Sequence, residues 1–373
     1  MKQRNFGLDI LRASAILFVV FNHICNYFIT FPQSTLLGDI GGVLGVEIFF
    51  VLSGFLIGRI LMKEFDVDIN AIKIKKFYLR RWFRTLPLYY VLLAILIIGT
   101  FLATQKPDFH LTHFVFLQNF SHEALNFFGV SWSLAIEEWF YLTLPILLFI
   151  GYKLKLLTKK SMFFLIFLVI LIMIARVLYV IYVPSATFDD IRKSIVFRFD
   201  SLLIGVILAG IKLHANKLYT LIRKPIFAGI SFVLMLALIY KYTRLLDFGQ
   251  LNTDFGAKAF GLIILSILIG IILTYFETSA LINETIRKHL LLKEFVTWTS
   301  LLSYSIYLIH VSIFEIFRSI FPPHPQSFIG LACALVVTTG VSYVLFRFIE
   351  TPFMNLRNKF AKPQDSELIK QNP

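Results

Sequence analysis

The chain has 373 residues, 58% of them hydrophobic and 16% charged, with a mean hydropathy of +0.78 and a formal net charge of +14. That composition excludes a water-soluble globular protein and gives an all-α polytopic membrane protein. The basic residues lie in short segments between apolar stretches, with no basic domain standing apart, which excludes a nucleic-acid-binding protein and matches the cation bias of membrane loops.

The opening MKQRN runs straight into an apolar helix with no small-residue cleavage site, and reads as an anchor rather than a removed signal. Stretches of about 20 apolar residues follow at 8–30, 39–62, 81–103, 130–151, 162–183, 194–211, 225–240, 257–275, 297–317 and 327–349, so about ten spans are predicted. With the N-terminus in the cytoplasm, the inner segments hold 24 of the 36 Lys and Arg residues and the outer segments 7, so both termini are expected to be cytoplasmic. The membrane unit is expected over 1–353, with a short polar tail at 354–373. Cys25 and Cys333 both fall inside spans and give neither a disulfide framework nor metal-ligand spacing; no metal is expected.

The first span carries Arg12 and His23, each costly in a bilayer, by ~3 kcal/mol or more for a central Arg. Eleven residues apart, they project from one helix face, separated by roughly 16 Å along the axis. His23, Glu47, Glu137, Asp200 and His310 come from five spans and fall at similar depth, so they must face a polar cavity or each other. A second layer lies inward: Arg12, Arg59, Arg80, Arg81 and Arg84. Arg81 and Arg84 are i, i+3 neighbours, and guanidinium forks suit phosphate. Taken together, an anion site toward the cytoplasm and an acid–base site near the middle are expected. Simpler roles exist for each residue: the Arg cluster as positive-inside anchors, Arg12 with Asp9 as a structural pair, His310 as a helix–helix hydrogen-bonder.

The same residues carry a set of ordered motifs. They are LDILRASAILFVVFNHI (Leu8, Asp9, Arg12, His23), GVEIFFVLSGFLIGRIL (Phe49, Phe50, Ser53, Gly54) and FYLRRWFRTLPLYY (Arg81, Arg84, Pro87, Tyr89). WSLAIEEWFYLTLP (Trp132, Ser133, Leu134, Glu137, Phe140, Tyr141), SYSIYLIH (Tyr304, Ser305, Tyr307, Leu308, His310) and a closing RFIETPF follow. The chain resembles the membrane-bound acyltransferase family 3 over residues 6 to 353, with five blocks in order. That resemblance implies an O-acyltransferase of the bacterial inner membrane. Its co-substrate would be a cytosolic acyl-CoA, most often acetyl-CoA, with no permanently bound cofactor, and its acceptor a hydroxyl of an envelope or cell-surface glycan or a related molecule. The partners implied are acyl-CoA, that acceptor, which can be lipid-linked, and membrane lipids. On this reading Arg12, Arg81 and Arg84 hold the coenzyme A phosphates. His23 is general base or accepts the acyl group, and Glu137 orients it. Ser53 is a candidate oxyanion donor, although Ser53–Gly54 also reads as a close-packing pair. Glu47, Asp200, Tyr304, Tyr307 and His310 line the acceptor side or the cavity. The rival readings are a transporter or flippase of a lipid-linked saccharide or acyl group, since midplane polar groups suit transport too, and a scaffold for glycan synthesis.

Overall fold

The structure, a computed structural model, describes residues 4–29, 32–65, 70–105, 109–120, 122–153, 161–321 and 328–360. All regular elements among these residues are helical: α1 (Phe6–Tyr27), α2 (Pro32–Phe65), α3 (Ala71–Thr104), α4 (His122–Phe127), α5 (Ser131–Lys153), α6 (Ser161–Tyr182), α7 (Phe188–Arg192), α8 (Phe199–His214), α9 (Asn216–Ile222) and α10 (Pro225–Asp247). A π-helical turn, Ala257–Gly261, leads into α11 (Leu262–Thr278), followed by α12 (Ala280–Lys288), α13 (Leu290–Ile320) and α14 (Phe328–Leu345). A second π turn, Phe346–Glu350, joins α14 to α15 (Thr351–Phe360). Residues 361–373, most of the expected polar tail, lie outside the described residues, whereas 351–360 form a helix at the N-terminal end of α3.

Among the described residues, nine helices are long and apolar enough to cross a membrane. The remaining expected span, 194–211, differs. Residues 195–198 turn, the helix begins only at Phe199, and it runs for 16 residues. At ~1.5 Å per residue α8 covers about 24 Å, less than the hydrocarbon core of about 30 Å. The remaining depth belongs to the broken segment 183–198. Irregular backbone at membrane depth survives only where protein surrounds it, and here Ile191, Ile195 and Arg198 are buried.

The interhelical contacts fix direction. Arg12 meets Ser300, His23 meets His310 and Tyr27 meets Glu315, so α1 and α13 run parallel. The α1–α2 pair is antiparallel: Gly38 lies by Cys25 and Gly45 by Ala15. α2 and α8 run parallel, in a close crossing. A Cβ on Gly54 would sit 2.0 Å from the Leu202 carbonyl oxygen, and one on Gly205 would sit 2.2 Å from that of Val51. Small residues let membrane helices approach through van der Waals contact where no hydrophobic drive exists between them. Both described ends of the chain lie at the end of the bundle that carries Arg12, called here the basic end: the Phe6 N–H donates to Asn283 Oδ1 at 2.9 Å, and Arg357 stands within Coulombic reach of Arg80, Arg81 and Arg84.

Gly54→Val is expected to push α2 from α8 and destabilise the protein by at least the ~1–3 kcal/mol of core overpacking. Gly99→Ala, with nothing within 4 Å of the added carbon, should leave the transition unchanged. Thermal unfolding of both variants in detergent tests this; equal melting would refute the crossing.

Candidate active site

Three helices turn polar faces toward one another. On α1 the face carries Arg12 and His23. On α5 it carries Ser133, Glu137 and Tyr141, spaced i, i+4, i+8 and so aligned over about 12 Å. On α13 it carries Ser300, Tyr304, Tyr307 and His310.

At the basic end, Asp9 accepts from Arg4 Nε at 2.5 Å and from Ser300 Oγ at 2.8 Å. Arg12 Nη1 lies 3.2 Å from Ser300 Oγ and 3.5 Å from Asp9 Oδ1. The expected Arg12–Asp9 pair therefore exists, but it is shared with Arg4, and the Arg12 side chain keeps 20% of its surface accessible. Arg81 and Arg84 are both within Coulombic reach of Arg12, and the Arg81 guanidinium lies over the Tyr141 ring at 4.6 Å. Three cations of like sign held this close, with Arg84 exposed, form an electropositive mouth suited to a polyanion.

Deeper in, Glu137 accepts from Ser53 Oγ at 2.9 Å and from the Tyr141 hydroxyl at 2.7 Å. The expectation that Glu137 orients His23 is not what the contacts give. Ser53, a candidate oxyanion donor with close packing as its other reading, gives its hydroxyl to Glu137, while Gly54 makes the close contact with α8. Tyr304 donates to the Thr85 carbonyl at 2.7 Å, and Tyr307 shares a 2.6 Å contact with Ser133 and reaches the Val130 carbonyl at 3.0 Å.

The neighbour of His23 is His310, with ring centroids 4.9 Å apart in an edge-on arrangement. His310 is fully buried, and its Nδ1 is 2.9 Å from the Ile306 carbonyl oxygen. A carbonyl can only accept, so Nδ1 carries the proton and Nε2 keeps a bare lone pair. Among the described residues that nitrogen has no hydrogen-bond partner. The pair thus couples a partly accessible imidazole to a buried acceptor, an arrangement able to move or receive a proton.

Glu47 and Asp200, expected to line the cavity, do not. Both are buried in a separate cluster with Arg198 and Arg176. Arg198 Nη2 pairs with Glu47, Arg198 Nη1 lies 3.5 Å from Asp200, and Arg176 Nη1 lies 2.8 Å from Asp200. Ser201 and Ser266 donate to Glu47. Two cations balance two anions, which is how charge is tolerated in a low-dielectric interior.

Sequence reasoning missed four contributors. Arg176 and Arg198 were visible as cations within or beside apolar stretches but were not singled out. Glu350, in the closing RFIETPF, is brought inward by the second π turn; it accepts from Ser305 and lies within Coulombic reach of Arg84. Arg192 sits at the end away from the basic mouth, with its guanidinium 5.0 Å from the Trp132 ring and its Nε 2.9 Å from Asp189. Asp189 is also paired with Lys193 Nζ at 2.7 Å, so two cations hold this carboxylate.

The fold is that of a polytopic helical membrane protein, and its inner polar faces join a cationic mouth to a histidine pair. The chain belongs to the acyltransferase 3 family: the model of that family's acyltransferase domain matches residues 5–347. It is similar to a candidate O-acetyltransferase of Staphylococcus aureus (strain COL), 28% identical over 376 residues, covering 93% of this chain and 57% of the relative. It is also similar to the peptidoglycan O-acetyltransferase OatA of Listeria monocytogenes, 26% identical over 372 residues (93% and 55%). A candidate peptidoglycan O-acetyltransferase, YrhL, of Bacillus subtilis is 26% identical over 373 residues (93% and 54%). The chain spans just over half the length of these curated relatives. No solved structure matches it.

Arg198→Met strands Glu47 without its cation and is expected to cost about 3–5 kcal/mol. The double change Arg198→Met with Glu47→Gln should recover part of that loss. Denaturant titration in lipid-like detergent measures both; a double variant no better than the single one would refute the pairing.

Proposed function

We propose that the protein is an O-acyltransferase that moves an acyl group, acetyl foremost, from cytosolic acyl-CoA to a hydroxyl of an envelope glycan or related acceptor. Family membership and the names of the relatives support acyl transfer to oxygen. The observation that carries the reading is the one face of α1 on which Arg12, inside a three-arginine mouth, and His23, against His310, stand roughly 16 Å apart. That separation is within reach of an extended pantetheine arm whose phosphates rest at the mouth.

In this mechanism Arg12, Arg81 and Arg84 bind the coenzyme A phosphates through charge-assisted forks. The basic end is the cytoplasmic one, in keeping with the Lys and Arg bias, with the protein in the inner membrane of a bacterium and both termini inside. His23 takes the proton of the acceptor hydroxyl as the oxygen attacks the thioester carbon. The C–O bond forms, the C–S bond breaks, and the proton passes from His23 to the departing thiolate. His310, its Nε2 bare, stands edge-on beside His23 as the group that takes or returns a proton there. The Glu137–Tyr141–Ser53 set lies between mouth and histidines and holds Tyr141 beneath Arg81. Tyr304 and Tyr307 line the way to the acceptor.

The test uses the purified full chain in lipid with radiolabelled acetyl-CoA and glycan acceptors. His23→Ala should lose acetyl transfer by about 10²–10⁴-fold, the usual worth of a general base, while still binding acetyl-CoA. Arg84→Ala should weaken acetyl-CoA binding itself. A folded wild type that neither binds nor turns over acetyl-CoA would overturn the proposal in favour of transport. His310→Gln, which retains an acceptor oxygen, should keep more activity than His310→Phe. Equal activity of the two would remove His310 from the proton path.

A further inference from the structure

The closing motif RFIETPF has no part in the chemistry above, yet it encodes a specific backbone device. Pro352 has no N–H, so the Phe348 carbonyl four residues back loses its helical donor. The π turn Phe346–Glu350 sits directly before it, and the Thr351 N–H and hydroxyl both donate to the Phe346 carbonyl, the hydroxyl at 2.9 Å. The buried residues of α14 are Gly330, Ala334, Thr338 and Ser342. Glu350 lies eight residues beyond Ser342, which in a regular helix at ~100° per residue is about 80° past it. The additional residue of a π turn sets the helix back by about that much. Glu350 is thereby returned to the interior, where it is only 5% exposed.

Two other helices set what Glu350 meets there. Ser305 on α13, itself fully buried, donates its hydroxyl to the carboxylate. Arg84 on α3 stands within Coulombic reach, and of the acids around Arg84 it is Glu350, ahead of Glu137, that acts on it most strongly. A carboxylate buried this far is costly without a cation to offset it, and Arg84 is that cation. Each arginine of the mouth thus has its own hold. Arg12 leans on Asp9 and Ser300, Arg81 on the Tyr141 ring, and Arg84 on Glu350. Without that hold Arg84 would be driven off by the like charges of Arg81 and Arg12. Arg84 itself remains exposed, so the buried anion orients the guanidinium without covering it.

We propose that Glu350 is a positioning residue of the donor site: held by Ser305, its carboxylate keeps the Arg84 guanidinium aimed at a phosphate of coenzyme A. The inference rests on the acyl-transfer reading above. Glu350 acts through Arg84 and touches no substrate. Its own charge repels a phosphate, so any affinity it adds comes from the pre-organisation of Arg84. The direction of the effect is therefore diagnostic. Electrostatics alone makes a neutral residue at 350 tighten the binding of a polyanion, whereas positioning makes it weaken.

The experiment measures the dissociation constant of radiolabelled acetyl-CoA on the full chain in lipid nanodiscs. Glu350→Gln, which keeps the side-chain volume and an acceptor for Ser305 but loses the charge, should weaken binding about tenfold, roughly one charge-assisted hydrogen bond. In an Arg84→Gln background the same change should cost less than about twofold, because no guanidinium is left to aim. Unchanged or tighter binding by Glu350→Gln, or an equal loss in both backgrounds, would overturn the proposal. If Glu350→Gln does not fold, the milder Ser305→Ala decides in its place: it should weaken binding severalfold with Arg84 present and leave it unchanged without, and an equal effect in both backgrounds overturns the proposal. Release of coenzyme A separates the two readings. A wild type that releases it, with a Glu350→Gln variant that binds acetyl-CoA as tightly, keeps the transfer reading and loses this one. A chain that shows the expected losses of binding but never releases coenzyme A does the reverse, and a wild type that binds no acetyl-CoA overturns both.

Discussion

A guanidinium inside hydrocarbon must be neutralised where it stands, and the architecture is arranged around that requirement. Arg198 and Arg176, both fully buried, are balanced by Glu47 and Asp200, with Ser201 and Ser266 filling the remaining lone pairs. The cluster ties α2, α6, α8 and α11 together at one depth. It also accounts for the break in the chain before α8: residues 195–198 turn so that Arg198 reaches Glu47 on one side and Asp200 on the other. The loss of regular helix there is compensated by charge-assisted bonds rather than by water.

Accessibility separates the cations that anchor from those that are free to bind. Arg198 and Arg176 have no accessible side-chain surface, and each is committed to a carboxylate. Arg12 shares its carboxylate with Arg4, retains a fifth of its surface, and stands with the like charges of Arg81 and Arg84. The acids follow the same rule. Glu47 is locked, whereas Glu137 is held by two neutral hydroxyls, with no salt bridge among the described contacts.

The broken segment before α8 also shapes the opposite end. It delivers α7, and with it Asp189 and Arg192, to the neighbourhood of His23. A continuous helix from 194 would have sent those residues elsewhere. The ion pairs of Arg198 and the placement of α7 near His23 thus go with one irregularity of the chain.

Much of this was legible in the chain. Hydropathy pointed to about ten spans, because a bilayer demands runs of about 20 apolar residues, and nine long apolar helices stand among the described residues. The helical period put Arg12 and His23 on one face, and the ordered motifs pointed to the family. The i, i+4, i+8 spacing of Ser133, Glu137 and Tyr141 was equally present, though it gains meaning only once Arg81 and Ser53 lie against it. What the sequence could not decide was pairing. Five ionisable residues at similar depth allow many partners, and depth along a helix says nothing about which neighbouring helix it meets. Only the tertiary structure sorted Glu47 and Asp200 into a sealed cluster, joined His23 to His310 rather than to Glu137, and exposed Glu350 and Arg192 as members. Composition and period are local properties, fixed by the backbone and the solvent. The choice among equivalent charges is made by close packing at crossings such as Gly54 on Leu202, which no single stretch of the chain contains.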